Sequence, residues 1–176
     1  MSGGHHDSYS NREIREILDS VRTIAVVGAS PKSSRPSYFV TKYLMAKGYD
    51  VIPVNPGHAG KEIAGAKVYG SLSEIDRPVD MVDVFRNSED AFGVTKDAIE
   101  IGAKVVWMQL GVRNDEAAKL AEEAGLTVVM NRCPKIEYGR LSGEIGWTGV
   151  NSKVLSSRRP GMSGRGFQNR SLKSDS

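Results

Sequence analysis

Thr23-Ile24-Ala25-Val26-Val27-Gly28-Ala29-Ser30-Pro31 is the stretch on which the fold turns. Its first five residues form a short run without a charge, rich in β-branched side chains, that stops at a glycine. A strand apolar on both faces belongs inside a sheet covered by helices on both sides. Upstream, Ser10-Asn11-Arg12-Glu13 has the residues of a capping box, and Ile14, Ile17, Leu18 and Val21 follow at helical spacing. A helix over 11–21 is therefore expected before the strand.

Downstream the pattern alternates. Helices are expected over 37–47, 71–76, 88–101 and 114–124, with glycine just past three of them at Gly48, Gly102 and Gly125, the usual stop. Between them run Val51-Ile52-Pro53-Val54, Met81-Val82-Asp83-Val84-Phe85, Lys104-Val105-Val106-Trp107-Met108 and Leu126-Thr127-Val128-Val129-Met130. Pro53 suggests a local irregularity in pairing. Strands alternating with helices imply right-handed crossovers and a parallel sheet. The expected fold is α/β: a doubly wound, Rossmann-type, five-stranded parallel sheet in three α/β/α layers over residues 10–141. Residues 142–176 form a C-terminal extension. Ile145, Trp147, Val150, Val154 and Leu155 give 142–160 enough apolar surface to dock, whereas 161–176 reads as flexible.

The chain of 176 residues has a net charge of +3 and a pI near 9.0. The surplus is confined to the extension. Residues 1–141 hold 18 Lys and Arg against 19 Asp and Glu, and 142–176 hold 6 against 2. A near-neutral body argues against nucleic acid as the partner, and the basic tail reads as a solvated appendage. No run of residues is apolar enough for a membrane span, and MSGGHHDSYS does not read as a secretory signal. One cysteine, Cys133, and three histidines do not build a disulfide framework or a metal site. A cytoplasmic setting is expected. His5 and His6 read as a loose terminus.

In an open parallel sheet, ligands bind beyond the carboxyl ends of the strands, where strand order reverses. The loop after the first strand reads as a phosphate cradle. Gly28 permits a sharp turn, Ser30 and Ser34 offer hydroxyls, and Lys32 and Arg35 add charge beside a helix N-terminus. An ordinary turn uses similar residues, but glycine, hydroxyls and cations coincide here at the switch point. The dinucleotide fingerprint is absent, since Gly28 opens G-A-S-P-K-S, and Asn55 stands where NAD binding favours an acid. Asp80, Asp83 and Glu137 do not form an acid/base pair with divergent environments. Asp83, alternating with valines, suggests a polar contact or an outward face. Trp107 reads as core and Trp147 as a docking anchor.

The runs V-V-G-A-S-P…R-P-S-Y, G-Y-D-V-I-P-V-N-P, P-V-D-M-V-D-V-F-R, G-A-K-V-V-W-M-Q-L-G-V and N-R-C-P-K-I-E-Y resemble the small bacterial and archaeal CoA-binding proteins. That family is similar to the N-terminal domain of the succinyl-CoA synthetase alpha subunit, and the resemblance covers residues 12–141. It implies coenzyme A, or a short acyl-CoA, as ligand. It implies the pyrophosphate at Gly28, Ala29, Ser30 and Pro31, and the adenosine with its 3′-phosphate at Asn55, Pro56 and His58. Adenine and ribose would lie by Phe85, Arg86 and Asn87, and the pantetheine arm by Met108 and Gln109. The synthetase has a lysine where this chain has His58, leaving Lys61 or Arg35 to meet the 3′-phosphate. The chain is expected to be too short for the ligase's second domain, so a binding protein is favoured over an enzyme.

Two alternatives stand beside that reading. One is a thiol or redox regulator, or an acyl-CoA-using enzyme, acting through Cys133, with Arg132 and Lys135 favouring its thiolate. The other is an interaction module in which 142–160 binds a partner or a second copy of the chain. For the main reading, Gly28→Val is expected to abolish binding without unfolding the protein.

Overall fold

The computed structural model describes residues 6–143. The expectations for 144–176, including docking of 142–160 and Trp147 as an anchor, lie outside them apart from Ser142 and Gly143. Helix α1 spans Asn11–Ser20 and begins with the expected capping box: Ser10 Oγ accepts from the Glu13 N–H, and Glu13 Oε1 accepts from the Ser10 N–H, both at 3.0 Å. It buries Ile14 and Leu18. Strand β1 (Thr23–Val27) leads to helix α2 (Pro36–Ala46) and strand β2 (Asp50–Val54). A 3-10 turn at Pro56–His58 precedes a small hairpin of β3 (Glu62–Ile63) and β4 (Ala66–Lys67). A second 3-10 turn, Leu72–Glu74, stands where a short helix was expected. Then come β5 (Met81–Val84), α3 (Asp90–Glu100), β6 (Val105–Met108), α4 (Asp115–Glu123), β7 (Thr127–Val129) and α5 (Pro134–Ser142).

The main sheet has the order β2-β1-β5-β6-β7, and every neighbouring pair is parallel. The Rossmann-type reading therefore holds, with the reversal of strand order at β1. Pro53 does not disturb the ladder, contrary to expectation: it lies opposite Val26 in unbroken register. Strand β2 is at the sheet's edge, and the Pro53 carbonyl points outward to accept from the Tyr69 N–H at 3.0 Å. The proline nitrogen faces the same way, so its missing N–H is not one the ladder with β1 needs.

Alternate residues of each strand feed two separate cores. Ile24, Val26, Met81, Val105, Trp107 and Val129 pack with α1, α2 and α5, in a layer rich in aromatic residues. There Tyr138 meets Tyr43 and Tyr49 edge-on, each with ring centroids 6.0 Å apart. The opposite layer packs Ala25, Val82, Val84, Val106 and Met108 against α3 and α4. Those helices present Ala91, Ala98, Ala117, Ala118 and Ala121, whose small side chains allow close approach to the sheet.

Sequence reasoning missed two elements. The β3–β4 hairpin is only two residues long on each side and turns through Ala64 and Gly65, both at positive φ. Helix α5 starts with Pro134 in its first turn and ends at left-handed Gly143. Pro134, Tyr138 and Leu141 are all buried at helical spacing. His6 also departs from expectation. It is buried, its ring nitrogens lying 2.8 Å from Tyr9 Oη and 3.0 Å from Glu122 Oε2.

Candidate functional site

Because the chain leaves β1 toward β2 on one side and later returns to β5 on the other, the loops after these three strands meet. Backbone hydrogen bonds tie them: Gly28 N–H to Val54 O at 2.9 Å and Phe85 N–H to Val27 O at 2.8 Å. Asn55 closes the group with its side chain. Its Nδ2 donates to Ala29 O at 2.7 Å, and its Oδ1 accepts from Gly57 N–H at 2.9 Å. This bridging role was not foreseen. On the far side, Asn131, at φ +60°, accepts from Gly111 N–H at 2.7 Å and joins the loops after β6 and β7.

Gly28 sits at φ +93°, and a Cβ there would lie 2.4 Å from the Phe85 carbonyl oxygen. The glycine is therefore required by the contact between the ends of β1 and β5, before any ligand is considered. The expectation that Gly28→Val spares the fold is corrected on this ground. Backbone donors in the same turn are also engaged. Gly28 and Ala29 donate to Val54 O, and Ser30 donates to Ser37 Oγ at 3.1 Å. What the loop presents to solvent is the exposed set Pro31, Lys32, Ser34 and Arg35, at the start of α2.

The other expected residues fall into two groups. Pro56, Arg86 and Asn87 are exposed in the loops after β2 and β5, with Asn55, His58 and Phe85 half-buried beside them. Arg86 Nη2 lies 3.3 Å from Asp90 Oδ2, and Asn87 Oδ1 accepts from the Asp90 N–H at 2.7 Å, starting α3. Ala29 and Met108 are fully buried, Met108 within the α3–α4 core, so neither side chain lines the surface. Phe39, Leu110 and Ile136 stand exposed near the carboxyl ends of the strands, giving that edge an apolar component.

Asp83 corrects the expectation of a polar contact or an outward face. It is fully buried in β5, between Val26 and Trp107 in register, and neither carboxyl oxygen has a hydrogen-bond partner among the described residues. Burial raises its pKa well above the ordinary carboxylate value, because the charged form loses its hydration there. Leaving such a group unpaired costs about 1–3 kcal/mol. Nearby, Gln109 is 7% exposed and its Oε1 is likewise buried without a partner.

Cys133 precedes α5 and is also 7% exposed. Burial is the largest influence on its thiol and pushes it up. Hydrogen bonds from the Ile136 backbone and the Gln109 side chain pull it down in part. Arg132 lies over the Tyr9 ring at 5.0 Å, and Lys135 is buried with its Nζ 5.9 Å from the Tyr43 ring centroid. The thiolate they were expected to favour is therefore disfavoured. A separate cavity of about 530 Å³ lies between α1 and β7. Its Glu13, Glu16 and Glu122 make it a poor place for a polyanion. Among the described residues, no group of three or more His, Cys, Asp or Glu could hold a metal ion. No helix among them is long and apolar enough to cross a membrane.

A parallel sheet in this order, with polar loops converging at the reversal beside β1, defines a Rossmann-type α/β domain. The chain belongs to the CoA binding domain family, which matches residues 22–139. It is 44% identical over 129 residues to the uncharacterized protein YneT of Bacillus subtilis, covering 73% of this chain and 94% of that one. It is 35% identical over 95 residues to the acetate–CoA ligase (ADP-forming) I subunit alpha of Pyrococcus furiosus. That match covers 52% of this chain and only 21% of the subunit. Among solved structures, a hypothetical protein from Pyrococcus horikoshii superimposes with a TM-score of 0.73 at 45% identity, covering 77% of this chain and 94% of that one. Membership of this family supports coenzyme A as the class of ligand.

Proposed function

We propose that this chain binds coenzyme A or a short acyl-CoA across the carboxyl ends of β1, β2 and β5, and acts by recognition rather than catalysis. The observation that carries the reading is the meeting of the three loops at the strand-order reversal in a chain of the CoA-binding family. The donor set fits a polyanionic nucleotide. Lys32 and Arg35 stand exposed beside the Ser34 hydroxyl and the start of α2, and residues 28–37 contain no acidic side chain. In this reading the pyrophosphate lies against Ser30, Pro31, Ser34 and Arg35, beside the turn at Gly28 and Ala29. The adenosine lies between Asn55, Pro56 and His58 on one side and Phe85, Arg86 and Asn87 on the other. The pantetheine arm runs past the carboxyl end of β6 toward Gln109. The binding domain is residues 10–141, and its setting is cytoplasmic.

Titration calorimetry with coenzyme A, dephospho-CoA and ADP tests the reading. Coenzyme A is expected to bind more tightly than dephospho-CoA, because Arg35 or Lys61 meets the 3′-phosphate. The double variant Lys32→Ala/Arg35→Ala removes exposed side chains and is expected to weaken coenzyme A about tenfold. Unchanged affinity in that variant would remove the first loop from the site.

A further inference from the structure

We propose that Asp83 reads the sulfur end of the ligand: its buried carboxylic acid donates a hydrogen bond to the thioester carbonyl of a short acyl-CoA, in a recess completed by Gln109 and Cys133. This rests on the proposed binding of coenzyme A and goes beyond it by naming the acyl thioester as the preferred form.

Placement comes first. Asp83 and Gln109 lie at or next to the carboxyl ends of β5 and β6, and Cys133 lies between β7 and α5. Strand alternation puts Asp83 and Gln109 on the side of the sheet that carries Trp107, Cys133 and α5, because Val82, Val84 and Met108 face the opposite core. The Gln109 side chain reaches the Cys133 thiol, and Asp83 lies on the same side of the sheet, beside Trp107 in register. Gln109 and Cys133 are each 7% exposed, and Asp83 is fully buried.

The chemistry follows from what is unpaired. Both Asp83 oxygens and Gln109 Oε1 are buried without partners, a costly arrangement in a strand otherwise made of Met81, Val82 and Val84. A protonated carboxyl offers one O–H donor, and a thioester carbonyl is an acceptor with no donor of its own. Gln109 Oε1 is a free acceptor for an amide N–H of the pantetheine arm. The free thiol of coenzyme A has no carbonyl to receive the Asp83 proton, so the recess discriminates between the two forms.

The experiment is calorimetry of the full chain with acetyl-CoA and with coenzyme A, for the wild type, Asp83→Asn and Asp83→Val. The wild type is expected to favour acetyl-CoA about tenfold, the size of one buried hydrogen bond. Asp83→Asn keeps a donor and most of the preference. Asp83→Val abolishes the preference and leaves coenzyme A affinity unchanged. Equal affinities in the wild type, or a preference that survives Asp83→Val, would overturn the proposal while leaving coenzyme A binding intact. So would an equal loss for both ligands, which would mark Asp83 as structural. Binding of neither ligand by the wild type would instead sink the coenzyme A reading itself, and this one with it. Should Asp83→Val not fold, infrared spectroscopy of wild-type protein with carbonyl-labelled acetyl-CoA decides the matter. A bound carbonyl band at lower frequency than that of a thioester in apolar solvent supports the hydrogen bond, and an unshifted band refutes it.

Discussion

Gly28→Ala is expected to destabilise the protein in the absence of any ligand, and the structure separates the cost into two parts. At φ +93° an L-residue pays about 1–2 kcal/mol for its backbone conformation. The added Cβ also meets the Phe85 carbonyl oxygen at 2.4 Å and its carbon at 3.0 Å. That neighbour is backbone at the end of a central strand, held by the Phe85 N–H to Val27 O bond of 2.8 Å, and cannot swing aside like a side chain. Forcing the strand ends apart adds about 1–3 kcal/mol. The sum of about 2–5 kcal/mol is a large part of the roughly 5–15 kcal/mol that stabilises a domain. Gly102→Ala is the control, since it has φ +80° with nothing within 4 Å of the added Cβ, and carries the conformational part alone. Urea unfolding followed by far-ultraviolet circular dichroism, with a slope of about 2 kcal/mol per molar, should lower the midpoint by about 1–2.5 M for Gly28→Ala. For Gly102→Ala the shift should be about 0.5–1 M. Equal shifts in the two variants would refute the argument from the Phe85 carbonyl.

Other outcomes follow from the buried groups. Because the Asp83 pKa is raised on folding, its protonation stabilises the fold fully below the ordinary carboxyl value of 3.8, and this is lost as pH rises toward the folded value. Thermal melts should therefore show the wild type losing stability relative to Asp83→Asn as pH rises from about 4; a constant difference would mean that Asp83 does not titrate in that window. Asp50 has the opposite sign. Hydrogen bonds from Arg77, at 2.8 and 3.0 Å, hold its carboxyl below the usual range, so its contribution is lost as pH falls, and both side chains are exposed enough to keep it under about 1 kcal/mol. Melts of Arg77→Ala should converge with the wild type in acid, and a constant gap would refute the link to Asp50. Cys133, buried and with its thiol pushed up, should react with an aromatic disulfide on the order of 100-fold faster in urea than in buffer. Rapid labelling of the native protein would refute the shielding of the thiol by burial.

The alternation of apolar strands and glycine-stopped helices was enough to read the sheet, because a parallel sheet buried on both faces writes itself as continuous apolar runs. The β3–β4 hairpin was not legible, since its Ala64-Gly65 turn lacks the usual asparagine or aspartate signal and its strands are too short to show a period. Pro53 misled because the sequence does not say which strand lies at an edge. The site was legible as positions and less so as roles. Asn55 was named for the adenosine, yet both ends of its amide serve Ala29 and Gly57. Asp83 was within reach of the argument already made: a carboxyl inside a strand buried on both faces has no outward face to occupy.

A switch point where three loops meet must satisfy the fold before it can serve a ligand, and this decides how the site should be probed. Gly28 and Asn55 are the residues a motif search selects first, and both are committed to joining β1, β2 and β5. Loss of binding after changing either one would report a displaced loop. Lys32, Ser34 and Arg35 carry no such duty: they are exposed, and among the described residues no side-chain hydrogen bond or ion pair ties them to the neighbouring strands. Their removal tests recognition alone. Asp83 is the converse case, buried at some cost to the fold, with no partner to explain it. A group the fold would be better without, beside the proposed ligand edge, is where a role in recognition is best sought.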